Sequence, residues 1–326
     1  MKADIVIVNW NSGHQLHDCI QSVREFNSGL VEKCIVVDNG SSDGSADFLL
    51  GASDVDLVVA GENLGFSRAC NLGSSRGSAE SILFLNPDAM LLENSLSVAL
   101  ARLDAPGDAS IGIVGVQLVG DDSAVQRSCA RFPTPIMMLA KSVGLSTLVK
   151  STDYHMKVWD HEQTMFVDHV IGAFFLVRRH VFDKLRGFEE RYFVYLEDMD
   201  FSYRASKLGY KSMYISDARA YHKGGGVSEK VKVHRLYYSL QSRIIYSFKQ
   251  YSGPSALLVA ASTLLVEPVS RLVLLLAERR WSEIPDLFRS YRMLWAWAAA
   301  SMMRSETRST DKGDQTHGGS SDGVDR

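Results

Sequence analysis

Residues 5–13 read Ile-Val-Ile-Val-Asn-Trp-Asn-Ser-Gly, a β-branched apolar run followed at once by a polar loop. This arrangement is typical of a buried strand whose carboxyl end opens into a loop. It recurs along the chain, and the strands predicted in this way are Ile5–Val8, Cys34–Val37, Asp56–Val59 and Ile82–Phe84. Helical patterns separate them, at His14–Phe26, Ala46–Leu50, Ser67–Ser75 and Ser95–Leu103. Strands that alternate with helices predict an α/β fold with a doubly wound, mostly parallel sheet flanked by helices.

Polar loops are associated with these strands, and the doubly wound topology brings such loops to one edge of the sheet. Ligands of open parallel sheets bind beyond the carboxyl ends of the strands, so this edge is the predicted binding site. The loops are Asn9–Ser12, Asp38–Asp43, Asn63–Gly65 and Asn86–Asp88. Taken singly, each loop is more readily explained as a turn, because Asn, Asp, Ser and Gly suit turn backbones.

The chain beyond residue 110 has a less regular pattern. An apolar strand is predicted at Val170–Val177 and a last strand at Lys211–Ile215. A helix is predicted to begin near Asp198, because carboxylates are favoured in a first helical turn.

The C-terminal region is predicted to be helical over residues 236–304, and the Ser/Gly/Asp-rich tail over residues 305–326 is predicted to be disordered. The run Ser255–Leu276 is strongly apolar, but Glu267, Pro268 and Arg271 interrupt it. An interfacial or bundle-packing helix is therefore expected there rather than a transmembrane one.

The composition argues against several classes of protein. With 46% hydrophobic and 22% charged residues among 326, the chain can bury a large core and is not broadly disordered. A formal net charge of -3 argues against a nucleic-acid partner. The four cysteines are scattered, so neither a disulfide framework nor a zinc site is predicted. The first apolar run is too short for a signal peptide, and the protein is expected in the cytoplasm.

Three groups of side chains are suited to catalysis. Asp88 offers a hard oxygen ligand for a magnesium or manganese ion. Glu197, Asp198 and Asp200 cluster beside aromatic residues, an environment that can tune a carboxylate for general-base work; a charged helix N-terminus explains them equally well. His222 precedes a glycine-rich stretch and offers an imidazole ligand, although a lone histidine is more often a surface or core residue.

Read in order, these segments resemble family 2 glycosyltransferases, particularly the bacterial rhamnosyltransferase-like members that build cell-surface polysaccharides. The resemblance extends from about Ile5 to Lys223. The motifs that carry it are Ile7-Val8-Asn9-Trp10-Asn11, Val36-Val37-Asp38-Asn39-Gly40-Ser41-Ser42-Asp43, Asn63-Leu64-Gly65-Phe66, Phe84-Leu85-Asn86-Pro87-Asp88, Gly172-Ala173-Phe174-Phe175 and Tyr195-Leu196-Glu197-Asp198-Met199-Asp200.

The resemblance implies a GT-A fold with a catalytic domain over residues 1–235, whose nucleotide-sugar half is 1–110 and whose acceptor half is 111–235. It implies that Asp198 is the catalytic base, supported by Glu197 and Asp200, and that Asp88 and His222 contact a metal ion or the diphosphate. The residues it places around the nucleotide are Asn9, Asn11, Asp38, Asn39, Asn63, Gly65 and Asn71. On the acceptor side it places Gly172 and Ala173.

The implied reaction is inverting transfer of a sugar from a dTDP- or UDP-sugar, with dTDP-L-rhamnose favoured, to a glycan or a polyprenyl-diphosphate-linked acceptor. Many relatives carry an Asp-x-Asp metal motif, and here its first position is Asn86. A Mg2+ or Mn2+ ion is therefore expected as the cofactor, with the strictness of the requirement left open. Arginines among the aromatic residues of the C-terminal helices, such as Arg279 and Arg292, favour contact with anionic headgroups at the inner face of the cell membrane.

Three other functions remain open on the sequence alone. A nucleotide-sugar-binding protein without activity would keep the nucleotide loops, although Asp88 and Asp198 argue against it. A nucleotidyltransferase is disfavoured because the loop after the first strand lacks a lysine or arginine. An interaction protein would use the polar loops as turns and the arginine-rich helices as a partner surface.

Overall fold

The computed structural model describes residues 1–26, 29–105, 108–145, 149, 153–224 and 231–314. From residue 304 to residue 314 it describes the backbone alone. Its centre is a nine-stranded sheet in the order β3-β2-β1-β4-β10-β6-β11-β5, with β8 paired to β11. Strands β3, β2, β1 and β4 are parallel, and β10 is antiparallel to both of its neighbours. The sheet runs through both predicted halves of the chain, so the two halves share one core.

The strands are β1 (Ala3–Asn9), β2 (Val31–Asp38), β3 (Asp56–Val59), β4 (Ser81–Leu85), β5 (Ala89–Leu91), β6 (Ile111–Val119), β7 (Cys129–Ala130), β8 (Met165–Val167), β9 (His169–Val170), β10 (Phe174–Arg178) and β11 (Lys211–His222). The helices are α1 (Gln15–Phe26), α2 (Phe66–Ser74), α3 (Ser95–Leu103), α4 (Pro135–Ser142), α5 (Arg179–Lys184), α6 (Glu197–Lys207), α7 (Lys232–Gln250), α8 (Gly253–Ala277) and α9 (Ile284–Asp314).

Helices cover both faces of the sheet because the central strands are apolar on both sides. In β1, Ile5 and Ile7 pack in one core cluster with α1 and α3. Val6 and Val8, which point the other way, pack in a second cluster with α2, α5 and α6. Successive side chains of a strand alternate between faces, so a continuous apolar run requires cover on both. The predicted doubly wound architecture is confirmed.

Two of the predicted elements are shorter or divided in the structure. The helix expected at Ala46–Leu50 is a single 3-10 turn, Asp47–Leu49, which Gly51 follows with φ +79°. The strand expected at Val170–Val177 is two strands, β9 and β10, separated by residues 171–173. The strand is interrupted because the backbone N–H of Gly172 is bonded to a side chain of α6 instead of to a neighbouring strand.

The last predicted strand is longer than expected. β11 continues past Ile215 to His222, with an irregularity in its pairing to β6 between Ile215 and Arg219. Its final residues pair antiparallel with β5, and His222 lies opposite Ala89. This pairing brings a strand of the acceptor half against the loop that carries Asp88.

The C-terminal helices pack on one another and on α4. The apolar run predicted to be interrupted is one continuous helix, α8, long and apolar enough by length and composition to cross a membrane. The helix continues past Pro268 because a π-helical turn at Ser262–Val266 precedes the proline, where altered hydrogen bonding tolerates its missing N–H.

Helix α9 extends to Asp314, so it enters the tail for which disorder is predicted. Adding residues to an existing helix costs less free energy than nucleating a new helix. The polar segment can therefore continue the packed part of α9 as a helix. Residues 315–326 lie outside the described part of the chain, and their disorder stays a prediction.

A buried ion cluster ties α7 to α8. Arg243 bonds Glu267, whose other oxygen accepts from Arg271 at 2.7 Å, and both Arg243 and Glu267 are buried. A buried carboxylate that loses a charged partner keeps its desolvation cost. Replacing an arginine partner of Glu267 by an uncharged side chain should therefore lower the stability of the protein.

We expect Arg243→Leu to lower the free energy of unfolding by about 3 kcal/mol, because it leaves Glu267 buried with one cation. The matched control is Arg280→Leu, which removes an exposed arginine paired with Glu278 and Glu283 and should leave the melting temperature unchanged. Denaturant titration of the two variants measures the difference. Equal losses of stability in the two variants would show that the buried cluster contributes no more to stability than the exposed ion pairs of Arg280.

Candidate active site

Asp88 and His222 meet at the end of the β5–β11 pair. Asp88 directly precedes β5, and the backbone N–H of Lys223 donates to its carbonyl oxygen at 3.0 Å. The nearest side-chain atoms are Nε2 of His222 and Oδ1 of Asp88, 3.5 Å apart. An oxygen and a nitrogen ligand that face one another in this way can hold a divalent cation.

Gln126 determines which nitrogen of His222 faces Asp88. The amide Nε2 of Gln126 donates to the carbonyl oxygen of His222, so its Oε1 must be the atom that faces the ring. An amide oxygen only accepts, and therefore Nδ1 of His222 carries the hydrogen and donates to it at 2.9 Å. In the neutral imidazole, Nε2 is then the nitrogen with the lone pair, and it faces Asp88. Such a partner behind a histidine is the usual arrangement at metal sites.

Asp198 lies in the first turn of α6, against the gap between β9 and β10. Its Oδ2 accepts from the backbone N–H of Gly172 at 2.8 Å, and its Oδ1 accepts from the N–H of Met199 at 2.7 Å. A Cβ at Gly172 would come within 3.2 Å of Oδ2. Gly172 thus fixes the carboxylate, which is partly exposed and can accept a proton.

The sheet brings Asp88 and Asp198 to the same edge. The backbone N–H of Asn86 donates to the carbonyl oxygen of Ala173 at 3.1 Å, and Gly172 precedes Ala173. The loop that carries Asp88 and the residues that hold Asp198 are therefore adjacent. The predicted metal ligand and the predicted base therefore lie on neighbouring segments at this edge.

His169 lies behind Asp198. Its Nε2 is 3.6 Å from Oδ2 of Asp198, and its Nδ1 is 3.1 Å from the hydroxyl of Ser202. Burial lowers the pKa of His169, and the charge of Asp198 opposes this shift. The imidazole is therefore neutral near neutral pH.

Glu197 is buried, and its Oε2 has no hydrogen-bond partner among the described residues. Burial, and secondarily the charge of Asp198, raises the pKa of Glu197 well above its ordinary value. Of the two adjacent carboxyl groups, Asp198 is the accessible one.

Asp200 joins α6 to α7. It is fully buried, and its Oδ2 accepts from Arg204 at 2.7 Å and from Lys249 at 2.8 Å. Its Oδ1 accepts from the amide of Gln250 at 2.6 Å. Because all of these partners belong to the protein, Asp200 positions the helix and does not face the cleft.

The backbone that leads into α6 is constrained. Tyr195 and Leu196 both have positive φ, 73° and 65°, which side chains with a Cβ rarely adopt. Two residues earlier, the carbonyl oxygen of Phe193 accepts from the N–H of Phe66 at 2.6 Å. A Cβ at Gly65 would lie 2.7 Å from that oxygen, so only glycine allows this approach. Strained backbone of this kind clusters at functional sites.

The predicted nucleotide residues differ in what they can contact. Asn9 is fully buried, its amide donates to Asp38, Ser41 and Ser45, and its Oδ1 accepts from Ser12. These contacts occupy its side chain and position Asp38 and the serines, so the predicted contact of Asn9 with a nucleotide stays a prediction. Asn11 has φ 50° and accepts from the N–H of Ser42 at 2.8 Å, so it shapes the rim beside half-buried Asp38.

The remaining amides are also used within the protein. Asn39 is buried; it donates to Asn63 Oδ1 at 3.0 Å and accepts from the N–H of Leu64 at 2.9 Å. Asn71 donates to the carbonyl oxygen of Phe188 and accepts from its N–H, both at 2.9 Å. Asn71 thus fastens α2 to the segment after α5. The Oδ1 of Asn63 also accepts from the N–H of Gly65 at 3.0 Å, and contact of Asp38, Asn63 and Gly65 with a nucleotide stays a prediction.

Gln126 and His169 lie in segments without a motif and were not among the predicted site residues. Neither has a local signal, because each acts through a residue distant in the chain. The structure also groups His14, His17 and Asp18, whose ligand atoms lie within 4.8 Å of one another on the surface of α1. This cluster shares no residue with the pair Asp88 and His222.

The fold and the comparisons define a glycosyltransferase with a GT-A fold. Among solved structures, the chain is similar to a mannosyltransferase from Pyrobaculum calidifontis in complex with GDP-Man and Mn2+. The TM-score is 0.51 at 16% identity, and the match covers 97% of this chain and 82% of that one. At this identity the likeness concerns the fold.

Residues 4–186 match the family described as glycosyl transferase family 2, and the chain belongs to that family. It is 27% identical over 265 residues to N-acetylglucosaminyl-diphospho-decaprenol L-rhamnosyltransferase of Mycobacterium tuberculosis, covering 76% of this chain and 85% of the relative. It is 28% identical over 146 residues to rhamnosyltransferase WbbL of Escherichia coli K12, covering 43% and 51%. The predicted rhamnosyltransferase-like resemblance is confirmed.

The raised pKa of Glu197 predicts a pH dependence of stability. The unfolded chain ionises this carboxyl near 4.5, whereas the folded protein keeps it protonated to higher pH. Its favourable contribution is therefore present below pH 4.5 and is lost as the pH rises through the folded pKa. Each unit of difference in pKa corresponds to about 1.4 kcal/mol.

Because Gln does not ionise, the free energy of unfolding of Glu197→Gln should fall less than that of the wild type between acidic and neutral pH. Denaturant titrations over a pH series test this, with exposed Glu25→Gln as the control that should follow the wild type. Parallel profiles for the wild type and Glu197→Gln would contradict it.

Proposed function

We propose that the protein is an inverting glycosyltransferase that moves L-rhamnose from dTDP-L-rhamnose to a hydroxyl of a polyprenyl-diphosphate-linked or polysaccharide acceptor. The observation that carries this proposal is the placement of Asp198 and Asp88 on either side of one site at the sheet edge. The sugar and the lipid-linked acceptor are supported by the name of the Mycobacterium tuberculosis relative. A UDP-sugar is the alternative donor.

Asp198 is the group that accepts the proton of the acceptor hydroxyl. Hydrogen bonds from Gly172 and Met199 orient its carboxylate, and buried His169 limits its rotation from behind. The hydroxyl oxygen attacks the anomeric carbon while the bond to the nucleoside diphosphate breaks on the opposite face. A single displacement inverts the configuration, and no carboxylate has to form a covalent intermediate.

Asp88 and His222 have the donor chemistry for a divalent cation, since one offers a carboxylate oxygen and the other a lone pair held in place by Gln126. They would hold a Mg2+ or Mn2+ ion, which supplies charge neutralisation of the diphosphate when bound. The structural neighbour solved with Mn2+ supports a divalent ion. Asp38 and Asn63 would contact the nucleoside.

The protein is placed by this proposal at the cytoplasmic face of the cell membrane. A dTDP-sugar is water-soluble, whereas a polyprenyl diphosphate is held in the bilayer. The enzyme therefore has to work where the two substrates meet.

Asp198→Asn should reduce kcat by about 10²- to 10⁴-fold with little change in the KM for the donor, because it removes the proton acceptor and keeps the shape. The assay is release of dTDP from dTDP-L-rhamnose in the presence of a lipid-linked acceptor. Exposed Asp183→Asn is the control for a carboxylate-to-amide change and should keep full activity. Undiminished activity of Asp198→Asn would remove Asp198 from the mechanism.

Calorimetry should show that Mn2+ strengthens binding of dTDP and that Asp88→Ala loses this effect. His222→Gln should reduce this effect of Mn2+ on dTDP binding by about 10-fold or more, as losses in a metal site typically do. His17→Ala, in the surface cluster on α1, should retain it. If His17→Ala loses the effect of Mn2+ and Asp88→Ala keeps it, the metal assignment is wrong. If UDP binds more tightly than dTDP, the donor is a UDP-sugar.

A further inference from the structure

Helix α8 has an apolar side that the described part of the chain does not cover. Five of its exposed apolar side chains follow a helical spacing of seven, four, four and three residues, which places them on one face. They are Leu258, Leu265, Val269, Val273 and Leu276. Only 28% of the most apolar stretch of this helix is buried.

The two charged residues of α8 are turned away from that face. Glu267 is buried against α7, where Arg243 bonds it, and Arg271, whose side chain is 37% exposed, bonds the same carboxylate. These residues interrupt the apolar run in the sequence, but in space they leave its outer face without charge over the full length of the helix.

Neighbouring elements widen the surface. On α9, Phe288 and Trp295 are exposed seven residues apart, and the indole N–H of Trp295 donates to the carbonyl oxygen of Leu264 on α8 at 3.0 Å. At the end of α4, exposed Val143 follows Ser142, whose carbonyl oxygen accepts from the hydroxyl of Ser270 at 2.6 Å. We call these residues together the C-terminal apolar face.

We propose that the C-terminal apolar face lies in the plane of a lipid bilayer and inserts its side chains among the acyl chains. Aliphatic side chains cover α8, whereas the adjacent stripe of α9 consists of Phe288, Arg292 and Trp295. A change from aliphatic to aromatic and cationic side chains matches the passage from the hydrocarbon to the headgroups of a membrane. A face that packed against a second copy of the chain would not require this change from aliphatic to aromatic and cationic side chains.

The contacts of α8 favour lying in the membrane plane over crossing it. Its inner side packs along α4, α7 and α9, and Thr263 and Glu267 are buried there. A spanning helix would have to expose these groups to lipid and separate Glu267 from Arg243, which is costly. One face can meet lipid while the other keeps its packing.

Insertion of apolar side chains, and not attraction by arginines, is the main source of binding. The sequence suggested that arginines meet anionic headgroups, but several are paired within the protein. Arg271 bonds Glu267, Arg280 bonds Glu278 and Glu283, and Arg289 bonds Asp286. Apolar burial is not screened by salt, so membrane binding should survive high ionic strength.

This surface is joined to the site by a short path. Asp200, on the helix of Asp198, accepts from Lys249 and Gln250 at the end of α7. Helix α8 begins at Gly253, three residues after Gln250. A bilayer against the C-terminal apolar face therefore lies beside the helix that carries Asp198, where a lipid-linked acceptor would arrive.

Flotation of the full chain with neutral phosphatidylcholine vesicles tests the proposal. The wild type should float, and high salt should not release it. Leu265→Glu should lower the bound fraction by about tenfold or more, since it puts a charge into the inserted face. The matched control is Leu50→Glu, because Leu50 and Leu265 are 69% and 68% exposed and Leu50 lies on another side of the protein.

A second measurement does not depend on a charged substitution. The four native cysteines are buried, so Leu265→Cys can be labelled selectively with an environment-sensitive fluorophore. Its emission should shift to the blue when phosphatidylcholine vesicles are added, and the same label on Leu50→Cys should not respond. Neither experiment requires catalysis, so they succeed or fail independently of the proposed sugar transfer.

Three results would overturn the proposal. Binding only to vesicles that contain phosphatidylglycerol, with release by salt, would assign the contact to the arginines. Absence of vesicle binding together with a dimer that Leu265→Glu dissociates would make the face an interface between two copies. A labelled residue 265 that does not respond to vesicles that bind the protein would place the contact elsewhere.

Discussion

The hydrogen bond from the backbone of Gly172 to Asp198 is the constraint around which the site is arranged. It takes an N–H group out of the sheet, which interrupts the strand between β9 and β10. In exchange it holds the N-terminus of α6 against the sheet edge, one residue from the contact between Ala173 and Asn86. A side chain larger than a hydrogen atom at residue 172 would crowd the carboxylate, so the glycine and the acid depend on each other.

Neighbouring carboxylates with the same chemistry have different roles because their surroundings differ. Asp198 is oriented by backbone N–H groups and remains accessible, whereas Glu197 is enclosed without a partner at one oxygen. Asp200 is buried among cations and an amide from α7. The motif therefore divides into an oriented carboxylate that we propose as the base, an interior group with a raised pKa and a structural anchor.

The same principle accounts for the C-terminal helices. Glu267 and Arg271 would each be costly in lipid, but together with Arg243 they form a buried cluster that points into the helix bundle. The charges thereby stabilise the packing of α8 on α7 and leave its outer face apolar. A helix can in this way be anchored to protein on one side and available to a membrane on the other.

Periodicity determined the fold class, because apolar runs such as Ile5–Val8 and Cys34–Val37 can only be buried by helices on both faces. The order of short motifs also pointed to the family, and the resemblance then pointed to Asp88 and Asp198 as expected site residues. These features are local in the chain, and the sequence by itself determined them.

Only the tertiary structure decided that the side chains of Asn9, Asn39 and Asn71 are bonded within the protein. The same holds for the tautomer of His222, which Gln126 sets, and for Glu267, which turns inward. Each of these depends on a partner about 24 to 117 residues away, and a side chain's role follows from the partner it meets in space, which no local pattern specifies.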